Sequence, residues 1–540
     1  MTAAWLAPVP AIRDEVHYPD RRRVRCFAFR PRSVYALLEA AVARQPDGDA
    51  VIAASERLSW RELERRARVL TAGLAAHGIG CGDRIALLLG NRIEFVVATF
   101  ALARLGAVVV PLSIRSQQPE VVYALQNCGA AGVFVEDDLV DRLPRAGEAP
   151  QLRLRVSLSP QPGCVAYHTL VARAARPPPP AVVDEEDTAV ILYTSGTTGR
   201  PKGAMISHFN IVHSTLHYEV CMALGLGERS MVAVPLSHVT GLVAQLYTLA
   251  RCAGTLVLMD AFKAPAFLEL AQREGITHTI MVPAMYTLCL LQGDLAARDL
   301  SRWRLGAYGG APMPPATIAA LAQQLPNLML MNAYGATETT SPTTIMPPSE
   351  TATRSDCVGR PVPCAEVKIV DADGRELAPG ETGEIWIRGP MVVGGYWANE
   401  AATAAAITDG WWHSGDLGRL DGEGFLQVLD RLKDVINRGG YKVYSSEVEA
   451  VLAQHPAVLE AAIVGKPCPV LGERVHVFVV LRTPGVEATV LQAFCAERLS
   501  DYKVPETWTL SETPLPRNAN GKVQKRELRE RALASVPPPP

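Results

Sequence analysis

The chain has 540 residues, 48% of them hydrophobic and 20% charged, with a formal net charge of -2. That length exceeds what one core supports, so two or more domains are expected. The near-neutral balance excludes an extended nucleic-acid footprint, and the Arg21-Arg22-Arg23 run is short enough to read as a solvated terminal segment.

Residues 1 to about 30, with Pro8, Pro10 and Pro19 and little periodicity, read as an irregular lead-in. A first helix is expected from Ser33 to Ala43. Strand Arg84 to Leu89, helix Glu94 to Leu105 and strands Ala107 to Pro111 and Gly132 to Glu136 then alternate as in a doubly wound parallel sheet. Pro177 to Pro180 forms a polyproline connector. A second series opens with the apolar run Ala189 to Leu192 and continues through strands Val232 to Pro235, Thr255 to Met259, Thr279 to Val282, Leu305 to Tyr308 and Leu328 to Asn332. Beyond Pro347 the character changes. Glu366 to Asp371, Gly383 to Ile387 and Phe425 to Leu429 are short strands between Gly, Pro and Asp turns, which suggests a small antiparallel barrel. Asp430 to Asp434 is a charged hinge. After it, helices Ser446 to Gln454 and Thr489 to Leu499 and strands Ala461 to Val464 and His476 to Leu481 make a small α+β domain ending in the tail Pro537 to Pro540.

The eleven cysteines contain no C-x-x-C pair and read as reduced core thiols. No apolar leader follows Met1, and no run reaches the roughly 18 apolar residues of a membrane span, so a cytoplasmic protein is expected. His213 and His217 stand at i, i+4, but without H-E-x-x-H or a third ligand they read as helical surface or packing residues rather than a zinc site.

The most informative stretch is Tyr193 to Gly203, Y-T-S-G-T-T-G-R-P-K-G. It follows a buried strand and precedes a helical pattern, so it reads as a strand-to-helix loop. Gly196, Gly199 and Gly203 permit close backbone approach, Thr194, Ser195, Thr197 and Thr198 supply hydroxyls, and Lys202 supplies a cation. Such a loop can wrap polyphosphate. Pro201 and the Gly203 after Lys202 separate it from a Walker A loop.

This signature resembles that of the AMP-forming adenylating superfamily of acyl-CoA and aryl-CoA synthetases, peptide-synthetase adenylation domains and luciferases, and the resemblance covers nearly the whole chain. It implies an α/β fold: a large N-terminal domain of doubly wound sheets plus a small β-barrel over residues 1–430, and a small mobile C-terminal α+β domain over 431–540. It implies that His238, in the segment from Pro235 to Leu242, sits beside a carboxylate pocket with Val239, Thr240, Tyr308, Gly309 and Gly335. Gly310, Ala311 and Pro312, with Asn332, Ala333, Tyr334, Gly335 and Thr337, would flank adenine and the α-phosphate. Glu338 would hold Mg²⁺, a hard cation that takes one or two carboxylates and keeps several waters. Asp416 would accept from the ribose hydroxyls, and Arg431 would reach ribose or phosphate. Lys433 would be the pivot of the small domain. Lys522, in Pro516 to Lys522, would bridge the acid and the α-phosphate. Gly439, Gly440 and Tyr441 would line a pantetheine channel, although Tyr441-Lys442 departs from the family's commoner Glu-Asn or Lys-Asn.

The activity so implied is ATP-dependent ligation of a carboxylic acid to CoA through an acyl-adenylate, with Mg²⁺; the alternative acceptor is a carrier-protein phosphopantetheine. An amino-acid substrate is disfavoured, because no Asp or Glu lies between His238 and Leu249 to pair an α-ammonium. The pocket residues are mostly apolar or small and point to an apolar monocarboxylic acid, aromatic or aliphatic. The Lys522 loop also resembles the context that lysine acetyltransferases modify in CoA ligases.

Overall fold

The computed structural model describes residues 5–18, 21–54, 56–145, 147–172, 176–194, 200–482, 485–518 and 522–534. The chain divides into two compact units. One comprises Met1–Val367, Trp386–His413 and Gly424–Leu426; the other comprises Lys368–Ile385, Ser414–Glu423 and Gln427–Pro540.

The first unit contains two large sheets. The seven-stranded sheet runs Lys202–Ser207, Thr188–Thr194, Val108–Pro111, Arg84–Leu88, Gly132–Val135, Leu154–Ser157, Val165–Ala166, and only its first pair is antiparallel. The nine-stranded sheet has a parallel centre of Met329–Tyr334, Leu305–Tyr308, His278–Met281, Arg229–Val232, Thr255–Leu258 and Asp49–Ala53, with short antiparallel strands at both edges. The main core joins Ile85 and Leu87 of one sheet to Val51 and Leu256 of the other through helices Val34–Arg44, Trp60–Ala76, Ile93–Leu105 and His208–Met222. Ile93–Leu105 is apolar all round because it is covered all round: Phe95, Val96, Val97, Phe100, Ala101 and Leu102 are fully buried. Serine caps three of these helices, at Ser33, Ser59 and Ser207. Ser33 accepts from the Ala36 N–H at 3.2 Å, and Ser207 with Asn210 closes a capping box.

In the second unit, strand Gly472–Leu481 pairs with Val458–Cys468, Thr507–Ser511 and Ile436–Arg438, and the last of these pairs with Tyr441–Val443. The two-residue strand period divides the side chains between two cores. Ile463, Val475, Val477 and Val479 pack with Val448 and Leu491 of helices Ser445–Leu452 and Ala488–Ala496, whereas Ala462, Val464, Phe478 and Val480 pack with Leu528 and Ala532 of helix Lys525–Ala534. The short strands expected beyond Pro347 form a five-stranded sheet in the order Glu366–Val370, Gly383–Arg388, Trp411–Leu420, Ile407–Thr408, with Leu426–Arg431 also beside Trp411–Leu420.

Most expected elements lie within a few residues of the observed ones, with four differences. The lead-in is not irregular: Ile12–His17 and Arg22–Phe27 form an antiparallel pair, which the prolines around it obscured. The strand expected over Val232 to Pro235 is Arg229–Val232, because the Pro235 carbonyl turns to accept the His238 N–H at 3.1 Å. Helix Lys525–Ala534 carries no clear periodic signal because its sequence is charged, with only Leu528 and Ala532, four apart, fully buried. Tyr193 to Gly203 is not a strand-to-helix loop. The chain returns from it as strand Lys202–Ser207, antiparallel to Thr188–Thr194, and the helix begins only at His208. The proline tail lies outside the described residues, among which no helix is long and apolar enough to cross a membrane.

Candidate active site

In the first unit the expected site residues stand beyond the carboxyl ends of parallel strands, where ligands bind in open α/β sheets. Strand Thr188–Thr194 runs into the Gly/Ser/Thr loop, of which Ser195, Gly196, Thr197, Thr198 and Gly199 lie outside the described residues. Both ends of the loop are fixed. Thr194 pairs with Lys202 in the strand register, and its hydroxyl donates to the Lys202 carbonyl at 3.4 Å. A Cβ on Gly203 would lie 2.7 Å from Ile191 Cγ2, so this glycine is required by its cross-strand neighbour independently of any ligand.

A second segment closes on the same strand. The Met205 N–H donates to the Gly395 carbonyl at 3.0 Å and the Trp397 N–H to the Gly203 carbonyl at 2.7 Å, which sets Tyr396 opposite Ala204. The Tyr396 hydroxyl donates to Glu338 Oε1 at 2.9 Å, and Lys202 Nζ sits 4.9 Å from the centre of the same ring. Glu338 is carried on the short 3₁₀ turn Thr337–Thr339 and is buried, and its carbonyl accepts from the Val393 N–H at 3.0 Å.

The glycines flanking this region have distinct reasons. A Cβ on Gly309 would lie 2.3 Å from the Ala333 carbonyl oxygen, so the loop after Leu305–Tyr308 can approach the next strand only without a side chain. Gly310 has φ of 79°, a left-handed backbone that glycine adopts without strain. Gly310, Ala311 and Pro312 are exposed, as is Gly335, whereas Asn332 and Ala333 are buried and Tyr334 is half-buried. Tyr308 packs into the second hydrophobic core beside Tyr286 and Met313, and burial pushes its phenol up to about 12. His238, Val239 and Thr240 are half-buried and lead into the π-helical segment Thr240–Tyr247, a geometry frequent at functional sites.

In the second unit Asp416 and Arg431 meet: Arg431 Nε lies 2.8 Å from Asp416 Oδ1, and its Nη1 donates to the Ser414 carbonyl at 3.1 Å. Lys433 is exposed on a turn closed by Asp434 and Val435 N–H donation to the Arg431 carbonyl. Its ammonium is pushed down by partial burial, with Arg431, Arg529 and Lys525 nearby adding to the effect. Gly439 and Gly440 have φ of 58° and 92° and turn Ile436–Arg438 into Tyr441–Val443; two successive positive φ values are what a tight hairpin turn requires. Tyr441 is exposed and stacks on Tyr502 at 4.7 Å. Lys522 is exposed and closes a loop in which its N–H donates to Asn518 Oδ1 and its carbonyl accepts from the Asn518 N–H, both at 2.9 Å. Ala519, Asn520 and Gly521 lie outside the described residues.

The family model described as AMP-binding enzyme matches residues 38–397, and that of the AMP-binding enzyme C-terminal domain matches residues 447–522. The chain belongs to the AMP-binding enzyme family. It is 35% identical to a feruloyl-CoA synthase of an Amycolatopsis species, across 90% of this chain and 96% of that one. It is 32% identical to the long-chain-fatty-acid–CoA ligase of Salmonella typhimurium, across 99% of both. Its fold is similar to that of o-succinylbenzoate coenzyme A synthetase from Bacillus subtilis in complex with ATP and magnesium ion, with a TM-score of 0.81 and 31% identity over 92% of this chain and 98% of that one.

As a magnesium ligand in this AMP-binding enzyme, Glu338 fits: Tyr396 occupies Oε1, and Oε2 has no protein partner among the described residues. A hard carboxylate oxygen of this kind suits a cation that retains most of its waters. A second group able to ligate a cation, Glu15, His17 and Cys26, is committed to the protein. Glu15 pairs with Arg30 at 2.7 Å, and His17 bonds Glu186 at 2.8 Å. His213 and His217 are fully buried against Phe27, a packing position and not a surface one.

Two residues placed at this site were not singled out from sequence. Tyr396 belongs to no periodic pattern; its only local mark is the Gly394-Gly395 pair before it. Asn91 Nδ2 reaches the carbonyls of Val234 and Met259 at 3.0 Å and Val232 at 3.2 Å, while its Oδ1 accepts the Leu236 N–H at 2.8 Å. It ties two strand ends to the loop that carries His238, and a lone asparagine before a helix carries no signal of this.

Proposed function

We infer that this AMP-binding enzyme is an ATP-dependent carboxylic acid:CoA ligase. An acid oxygen attacks the α-phosphorus of ATP, the bond to the β-phosphate oxygen breaks, and pyrophosphate leaves with that electron pair. The CoA thiol then loses its proton, its sulfur attacks the acyl carbon, and AMP departs. The observation that carries the reading is the convergence of Lys202 and Glu338 on Tyr396 at the exit of the glycine-rich loop, a cation and an acid set where polyphosphate charge must be held. Mg²⁺ bound through Glu338 would supply neutralisation of the phosphate oxygens. Lys202 and the loop amides would stabilise the charge developing on pyrophosphate, and each such preorganised donor is worth about 100- to 1000-fold in rate.

The Asp416–Arg431 pair supports a ribose role, since the guanidinium holds the carboxylate in one orientation. Residues 431–540 act as the mobile domain, turning about Lys433 so that Lys522 serves adenylation while Gly439, Gly440 and Tyr441 serve CoA. The acid pocket is built from His238, Val239, Thr240, Gly309 and Gly335. Tyr308, whose ring packs beside Tyr286 and Met313, completes its wall. The substrate is an apolar monocarboxylic acid. All eleven cysteines are free thiols, as a reducing compartment such as the cytoplasm maintains. A pyrophosphate-release screen over aromatic and aliphatic acids, with CoA, with a phosphopantetheinylated carrier protein and with neither, tests the reading. Acid-dependent release and an acyl-CoA product are expected. Release without any CoA thioester, but with an acylated carrier, would move the acceptor to a carrier protein; no acid-dependent release with any acid would overturn the proposal.

A further inference from the structure

We propose that Tyr396 is a positioning residue for adenylation, holding Glu338 and Lys202 apart so that the carboxylate keeps an oxygen for Mg²⁺ and the ammonium keeps its N–H donors for polyphosphate. This rests on the reading of Glu338 as the magnesium ligand. The tyrosine is buried, its hydroxyl donates to Glu338 Oε1 at 2.9 Å, and its ring faces Lys202 Nζ at 4.9 Å. Glu338 and Lys202 do not pair with each other or with any other ion among the described residues. An acid and an amine this close to one shared side chain attract strongly in a partly desolvated site, and direct pairing would neutralise both. The aromatic face holds the ammonium through its quadrupole without consuming an N–H, and the phenol takes only one of the two carboxylate oxygens.

The surrounding backbone is built to hold this ring. Tyr396 lies opposite Ala204, its N–H donates to Thr403 Oγ1 at 2.9 Å, and its neighbours bond Met205 and Gly203. Gly395 has φ of 154°, and a Cβ there would lie 2.6 Å from Thr403 Cγ2, so glycine is needed for the approach.

The test measures Mn²⁺, as a Mg²⁺ substitute, binding to the full-length enzyme with α,β-methylene-ATP by electron paramagnetic resonance, alongside the Mg²⁺ dependence of pyrophosphate release. Tyr396→Phe keeps the ring and removes the hydroxyl. It should weaken Mn²⁺ binding about tenfold, the range of one hydrogen bond to a charged group, while the KM for the acid and thioester formation from preformed acyl-adenylate stay unchanged. Thr403→Val, which frees the Tyr396 backbone without touching the phenol, should shift Mn²⁺ affinity in the same direction and serves if Tyr396→Phe folds poorly. Glu338→Gln should abolish the tight Mn²⁺ site, and Tyr396→Phe added to it should have no further effect. Unchanged Mn²⁺ affinity in both Tyr396→Phe and Thr403→Val, with Glu338→Gln impaired, overturns the role of Tyr396 alone. Unchanged affinity in Glu338→Gln overturns the magnesium reading and this proposal with it. A full additional loss from Tyr396→Phe in the Glu338→Gln background shows that the tyrosine does not act through Glu338.

Discussion

Replacing Asn91 should damage both stability and recognition of the acid, and the structure sets the size of the effect. The side chain is buried, its oxygen accepts the N–H of the fully buried Leu236, and its two amide hydrogens are shared among the carbonyls of Val232, Val234 and Met259. Asn91→Ala leaves that N–H and up to two carbonyls without partners, at about 1–3 kcal/mol for each buried group. Water admitted to the vacated space offsets part of this, so a loss of about 3 kcal/mol is expected, or a melting point lower by about 4 °C in a domain of this size. Leu236 is two residues before His238, so the loop bearing the histidine loses its anchor. The KM for the acid should therefore rise about tenfold, and the KM for ATP much less. Asn91→Asp separates the contributions: it keeps an acceptor for Leu236 but turns a carboxylate toward three carbonyls, and it should be at least as harmful as alanine. Thermal melts and steady-state pyrophosphate release on the three proteins decide the matter. An aspartate variant close to wild type would refute the reasoning, because the donors to the strand ends would then carry no weight.

Two further outcomes follow from the same geometry. Lys522→Ala should abolish adenylate formation while leaving CoA attack on preformed acyl-adenylate largely intact, and acetylation of the exposed Lys522 by a lysine acetyltransferase should reproduce that split; equal loss of both half-reactions would contradict the assignment. Acid should destabilise the fold early: burial lowers His208 to about 4 and His217 and His278 to about 3 from 6.5, and lowers His213 as well. Between those values the unfolded chain binds more protons than the folded one, so this contribution to stability is complete above pH 6.5 and declines as pH falls toward 4. A melting point that stays level from pH 7 to pH 5 would show that these histidines are not held neutral.

Local chemistry made much of this enzyme legible before any fold was known. Apolar β-branched runs such as Ala189 to Leu192, punctuated by glycine and proline, mark parallel strands because burial on both faces demands them. The candidates Lys202, Glu338, Asp416 and Lys522 stand in short motifs whose spacing is set by the loop that carries each. The tertiary structure decided what depends on partners far apart in the chain. Strand Lys202–Ser207 became a hairpin partner instead of the start of a helix because Gly203 can pack on Ile191 and residues 395–397 close over it. Tyr396 meets Glu338 across 58 residues and Asn91 meets Leu236 across 145. A hydrogen bond across such a distance leaves no periodicity in the sequence. Tyr308 is decided in the same way: its ring packs beside Tyr286 and Met313, neighbours that no local pattern around it announces.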